Sequence, residues 1–169
     1  MQNKRGIAQA FAHPKTGLAL RPATVFDVFD LSTILCSSIR DLCGADHNND
    51  PQIIADWTAN KSPESLRRWL AGDHTFWLAT LNGAAAGVGA VSPTADISLL
   101  YVSPQAVGQG AGAALLVQLE ATAQNAGHRT AFLSSTATAQ GFYAKHGWVS
   151  AGPANPGPFG PSYPMQKNI

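Results

Sequence analysis

The chain's best-placed chemical features are three glycines, Gly108, Gly110 and Gly112, lying between an apolar run and a helix-forming stretch. Without side chains, alternating glycines let main-chain amides converge, and a helix start adds partial positive charge. Such a cradle can hold a pyrophosphate through several amide hydrogen bonds without a basic side chain, so the expected ligand is a nucleotide-like diphosphate. A P-loop would need Lys and then Ser or Thr after its last glycine, but Ala113 and Ala114 stand there. Gly108, Gly110 and Ala113 fit the loose dinucleotide pattern, so spacing alone leaves NAD open. Context argues against NAD, because Ser103 to Val107 separate strand from turn and no acid ends the next strand near Leu133.

The titratable candidates are fewer. A phenol at Tyr143 stays protonated at neutral pH and can act as an acid, although beside Phe142 its plainer reading is an amphipathic packing residue. Asp96, just before an apolar strand, is a weak candidate base, and its plainer reading is a solvated turn residue. His47 sits between Asp46 and Asn48 and reads as a base, an acceptor ligand or an exposed loop histidine. Cys36 and Cys43 lie seven residues apart in one predicted helix, on one face but too distant to bridge, and are expected reduced and buried. No Cys or His spacing suggests a metal site.

The elements that must position these groups follow from periodicity. Residues 1–16 show no sustained period and read as a tail, leaving 17–169 as a single domain. Leu18 to Arg21 is a short strand, and Thr24 with Asp27 forms a capping-box signal. A helix then starts near Val25, with Val28, Leu31, Ile34, Leu35, Ile39 and Leu42 inward and a stop at Gly44. Ala45 to Asp50 reads as a polar connection. Two short helices follow, one around Ile53, Ile54 and Trp57, the other starting at Ser62-Pro63; Trp57 and Trp69 are core candidates or an aromatic wall. Strands at Thr75–Leu81 and Ala84–Val91 flank the hairpin signal Asn82-Gly83, the second being rich in Ala and Gly and the least secure of the strands. Ile97–Val102 is a strand, Ala113–Ala126 a helix, Thr130–Leu133 a strand, and Thr136 caps a predicted helix to His146. A Gly- and Pro-crowded loop over 152–162 precedes a last strand near Tyr163–Gln166.

Composition narrows the partners. With 45% hydrophobic and 12% charged residues the chain can bury a core. A net charge of +1 with scattered Lys and Arg gives no footprint for nucleic acid or for an anionic membrane. No signal-peptide or bilayer-length apolar run is present, so the cytoplasm is the default location.

Two motifs resemble the GNAT superfamily of acetyl-CoA-dependent N-acetyltransferases over roughly residues 18–167. One is Leu100, Tyr101, Val102, Ser103, Pro104, then Val107, Gly108, Gln109, Gly110, Ala111, Gly112, Ala113, Ala114, Leu115 and Leu116. Val107 stands where the family usually has Arg or Gln. The other is Thr136, Ala139, Phe142, Tyr143, Lys145, Gly147 and Trp148, with Thr136 in place of the usual Asn. The resemblance implies an α/β (α+β) fold with a mixed, mostly antiparallel sheet of six to seven strands flanked by helices. It implies that Leu100, Tyr101 and Val102 bond the pantetheine arm, that Val107 to Ala113 hold the pyrophosphate of acetyl-CoA, and that Thr136, Ala139 and Tyr143 complete the cofactor site. Tyr143 matches the residue that protonates the departing CoA sulfur in many members, and His47 falls in the region that binds the acceptor. The implied reaction is direct acetyl transfer to a primary amine, of a small molecule first and of a peptide or protein second, with a non-catalytic acyl-CoA-binding module as the alternative. Asp96, His47 or water would serve as base. Many members dimerise, so a homodimer is open to the chain, and the 151–162 loop could serve its interface or close over the acceptor.

Overall fold

The computed structural model describes the backbone of residues 11–13 and all of residues 17–169. Among these, the strands are β1 (Phe11–His13), β2 (Leu18–Pro22), β3 (Thr75–Leu81), β4 (Ala84–Val91), β5 (Asp96–Val102), β6 (Thr130–Ser135), β7 (Val149–Ser150) and β8 (Tyr163–Asn168). The helices are α1 (Val28–Leu42), α2 (Gly44–His47), α3 (Pro51–Thr58), α4 (Pro63–Leu70), α5 (Ala111–Asn125) and α6 (Gln140–Lys145). The strands form one sheet in the order β1-β2-β3-β4-β5-β6-β8-β7. Every pairing is antiparallel except β5 with β6.

The expected mixed, mostly antiparallel sheet with flanking helices is what forms, and counting its two shortest members it has eight strands. The extra strand corrects the expectation of an irregular tail at three positions, because Phe11–His13 pair with Leu18–Leu20. Three residues are too few to display an alternation. The rest of the 1–16 segment lies outside the described residues.

β4 is the centre of the sheet despite its Ala and Gly content. A Cβ at Gly89 would lie 2.7 Å from Leu119 Cδ1, and one at Gly87 2.9 Å from Leu115 Cδ1. The glycines thus let α5 settle directly on the strand, and packing overrides their weak strand preference. Leu115, Leu116 and Leu119 are fully buried on that face, whereas Leu31, Ile34, Leu35 of α1 and Leu66 of α4 cover the other.

Local signals explain most boundaries. Thr24 and Asp27 make the capping box, but around a 3-10 turn (Val25–Asp27), and the α-helix proper begins at Val28. Ser62 caps α4 by accepting from Ser65 N at 3.2 Å. Asn82 (φ 50°) and Gly83 (φ 84°) form the hairpin turn with both φ positive, as the β3–β4 twist requires. Gly44 does not end the helical region: Cys43 caps α1 and Gly44 opens α2. No helix among the described residues is long and apolar enough to cross a membrane.

Candidate active site

The parallel pairing of β5 with β6 involves only Asp96↔Phe132 and Ile97↔Leu133. Beyond Ile97 the two strands part, β6 continuing against β8 while β5 stays on β4. Their divergence opens a cavity of about 390 Å³. Ser98 is the extra residue of a bulge in β5, because Ala90 faces Leu99 while Val91 already faces Ile97. Such an insertion sharpens the local twist and turns the strand away from its neighbour. Past Ile97, β5 therefore has a free edge into the cavity, able to hydrogen-bond an extended ligand as an added strand would.

The glycine turn closes one end of this space. Gly108 (φ 77°) and Gly110 (φ 87°) take left-handed conformations, and nothing lies within 4 Å of where a Cβ would stand on either. Gly110 is the N-cap of the fifteen-residue α5. Among the described residues, the amides of Gly108, Gly110, Ala111, Gly112 and Ala113 donate to no backbone carbonyl, whereas Ala114 N reaches Gly110 O at 3.0 Å. Free amides at a helix start are donors for an anion. Gln109 departs from the expected set: its amide is committed to Ala106 O at 3.2 Å and its side chain to Gln105 O at 2.6 Å. A Cβ at Gly112 would sit 3.5 Å from Val102 and 3.6 Å from Phe142, an ordinary contact, so neither packing nor backbone conformation demands glycine there.

Of the residues singled out in sequence, Leu100, Tyr101, Val102, Val107, Gly112, Thr136, Ala139 and Tyr143 come together around this one cavity. Gly108, Gln109, Gly110, Ala111 and Ala113 lie outside its lining, in the turn and first helical residues next to Val107 and Gly112. Thr136 does not cap a long helix. Its Oγ1 accepts from Ala139 N at 3.3 Å in a turn, and α6 begins only at Gln140.

Tyr143 is 7% exposed and wedged between Phe142 and Trp148, at ring separations of 5.3 and 6.0 Å. Burial raises its phenol above the ordinary range, and proximity to Tyr101 adds to this. Burial likewise pushes the Tyr101 phenol up to about 12. Tyr143 is therefore firmly protonated, and its hydroxyl has no hydrogen-bond partner among the described residues.

The base candidates do not reach the cavity. His47 is fully buried: Nε2 donates to Ile39 O at 2.8 Å and Nδ1 accepts from Asn49 N at 3.0 Å, so both nitrogens are occupied. It braces α2 against α1, which corrects the exposed-loop and catalytic readings together. Asp96 is exposed at the opposite end of β5 from the glycine turn, its amide held by Ser92 Oγ at 3.1 Å. Cys43 is buried and its thiol is pushed up to about 12 by burial, whereas Cys36 is half-exposed, against expectation. Trp57 is core, stacked on Phe159 at 5.5 Å.

Asp46 is the residue that sequence reasoning missed. Its buried carboxylate accepts from Ala137 N at 2.7 Å, Thr138 N at 3.3 Å and Thr138 Oγ1, pinning the turn that carries Thr136 and Ala139. Trp57, Tyr101 and Phe159 surround the same corner with Ile39 and Cys43. A lone acid in a polar stretch gave no signal of this.

The acetyltransferase (GNAT) domain family matches residues 45–169, most of the chain. The chain belongs to the GNAT acetyltransferases and is thus an acyltransferase. A GCN5-related N-acetyltransferase from Rhodopseudomonas palustris shares 26% identity at a TM-score of 0.80, over 89% of this chain and 94% of that one. The PaiA N-acetyltransferase of Thermoplasma acidophilum, solved with coenzyme A, shares 18% identity at a TM-score of 0.76, over 90% and 99%. YncA of Salmonella typhimurium, solved with its cofactor acetyl-CoA, shares 18% at a TM-score of 0.63, over 89% and 93%. None of the curated proteins matches the chain in sequence.

Proposed function

We propose that the protein transfers the acetyl group of acetyl-CoA to a primary amine of a small molecule, by direct attack within a ternary complex. The observation that carries this reading is the open edge of β5 beside Tyr143, with the free amides of the glycine turn at one end of the same cavity. The turn and α5 hold the diphosphate, and the main chain of Leu100, Tyr101 and Val102 holds the pantetheine arm and polarises the thioester carbonyl. The amine nitrogen forms the new C–N bond as the C–S bond breaks, the Tyr143 hydroxyl protonates the departing sulfur, the proton lost by nitrogen passes to water, and water reprotonates Tyr143. A water acceptor for that proton agrees with His47 and Asp96 lying outside the lining.

A small acceptor is favoured over a peptide by the 151–162 loop. Its Phe159 stacks on Trp57, and Gly160 lies against α2, where a Cβ would meet Asp46 O at 3.2 Å, so the loop is held in place beside the corner where Cys43 and Tyr101 meet the cavity and leaves less room there for a peptide chain. Calorimetry with acetyl-CoA and with CoA tests the cofactor assignment, and no saturable heat with either would sink it. Tyr143→Phe is expected to lower turnover by about 10²–10⁴-fold with CoA affinity unchanged, and undiminished turnover would remove Tyr143 from the chemistry.

A further inference from the structure

The cavity extends through the sheet to the face covered by α1. Its wall there is built from Ser38, Leu42, Cys43, Leu99, Ser134 and Thr138. The glycine turn and α5 lie on the other face, so this wall is where an acceptor would lie if the cofactor takes the turn. The polar side-chain atoms of the wall are hydroxyls and one thiol. Among the described residues, no carboxylate, imidazole, ammonium or guanidinium lines the cavity anywhere.

The charged and titratable groups on the surrounding elements are neutral, held by other partners or placed outside the lining. On α1, Cys43 is a neutral thiol. On β5, Tyr101 is a neutral phenol and Asp96 stands at the far end of the strand. On α2, His47 has both nitrogens occupied and Asp46 is held by three donors from the β6–α6 turn. On α6, Tyr143 is protonated, Lys145 is exposed, and His146 stacks on Phe142 at 4.5 Å with its Nδ1 on Phe142 O, outside the lining.

An ammonium ion entering such a space loses water and gains no counter-charge, and no side chain stands ready to take its proton. The free base suffers neither penalty. We infer that the acceptor is a weakly basic amine with an uncharged, largely apolar body, of the arylamine class, captured from solution already deprotonated. This rests on the acetyl-transfer reading above. Its lone pair forms the C–N bond, the C–S bond breaks, sulfur takes the Tyr143 proton, the one proton released from nitrogen goes to water, and water returns a proton to the Tyr143 phenolate.

The test uses the full chain with acetyl-CoA, first confirming by calorimetry that the cofactor binds, then following thiol release with aniline, benzylamine, putrescine and alanine. At neutral pH aniline is expected to exceed benzylamine in kcat/KM by at least about tenfold. The value for benzylamine should climb about tenfold per pH unit between about pH 6 and about pH 8, tracking its own free base, while that for aniline stays flat. A lead for benzylamine, putrescine or alanine, or an inflection in the aniline profile from a protein base, overturns the inference. So does cofactor binding with no acetylation of aniline, which leaves the cofactor assignment standing; failure of acetyl-CoA to bind instead removes the underlying reading. Leu42→Asp, at a half-buried position on this wall, should shift the preference toward benzylamine by about tenfold, and a folded variant with unchanged selectivity places the acceptor elsewhere.

Discussion

The two sides of the cavity are built by different means. On the α5 side the working groups are main-chain amides exposed by glycine, and side chains serve mainly to stay out of the way: Gly108 and Gly110 have open space around them. On the α1 side the shape is held by side chains, two of them reaching groups far along the chain, Asp46 at the β6–α6 turn and Trp57 at Phe159, and one, His47, a nearer carbonyl at Ile39. A backbone cradle suits a ligand that is the same for every member of a family. A wall assembled from side chains can be rebuilt for each acceptor without disturbing that cradle. If this division is real, damage on one side should leave the other working.

The largest effect is expected at Asp46, which ties α2 to the β6–α6 turn. Asp46→Ala leaves two part-buried amides and a hydroxyl without their acceptor, at a cost of about 1–3 kcal/mol. Chemical denaturation should register the loss, and because the freed turn carries Thr136 and Ala139, the affinities for CoA and acceptor should fall together. Asp46→Asn, which keeps an acceptor oxygen, should recover part of both. A stability change with neither affinity affected would show that the turn holds its shape unaided, and the two sides would then be independent without qualification.

Gly110→Ala attacks the cradle alone. The methyl meets no neighbour, but φ 87° is disfavoured for any residue with a Cβ. The expected cost is about 1–2 kcal/mol, seen in thermal unfolding, with weaker CoA binding by calorimetry as the turn relaxes. The KM for the amine, measured at saturating acetyl-CoA, should not move. A raised amine KM with normal CoA binding would reverse the assignment of the two sides.

The same contrast explains what could be read from sequence. The glycine turn, α5 and the strand before them are local patterns, and they were legible because backbone geometry needs particular residue types at particular spacings. The amphipathic face of α1 was legible for the same reason. Ala45 to Asp50 was misread as a polar connection because neither the burial of Asp46 and His47 nor their partners has a local signature: Asp46 meets Ala137 at a separation of 91 residues. β4 was undervalued because its glycines answer to Leu115 and Leu119 on a later helix. The cleft itself comes from a two-residue register between β5 and β6, which no single strand encodes.

The smallest expected effect falls on the acceptor wall. The Phe159 ring lies at an interplanar angle of 8° to Trp57, and Trp57 packs with Cys43 and Tyr101 behind the cavity. Phe159→Ala removes an aromatic pair worth about 0.5–1.5 kcal/mol beyond area burial, modest enough for the fold to survive. Its result should be a rise in acceptor KM of about two- to tenfold, with kcat and CoA affinity near the parent values, because nothing in the glycine turn touches this stack. Trp57 would still be present, so Phe159→Leu, which restores apolar cover without a ring, separates two roles. Recovery of KM means the loop acts as apolar cover behind the acceptor wall; no recovery means the stack itself fixes the loop, with Gly160 at φ 127° against Asp46.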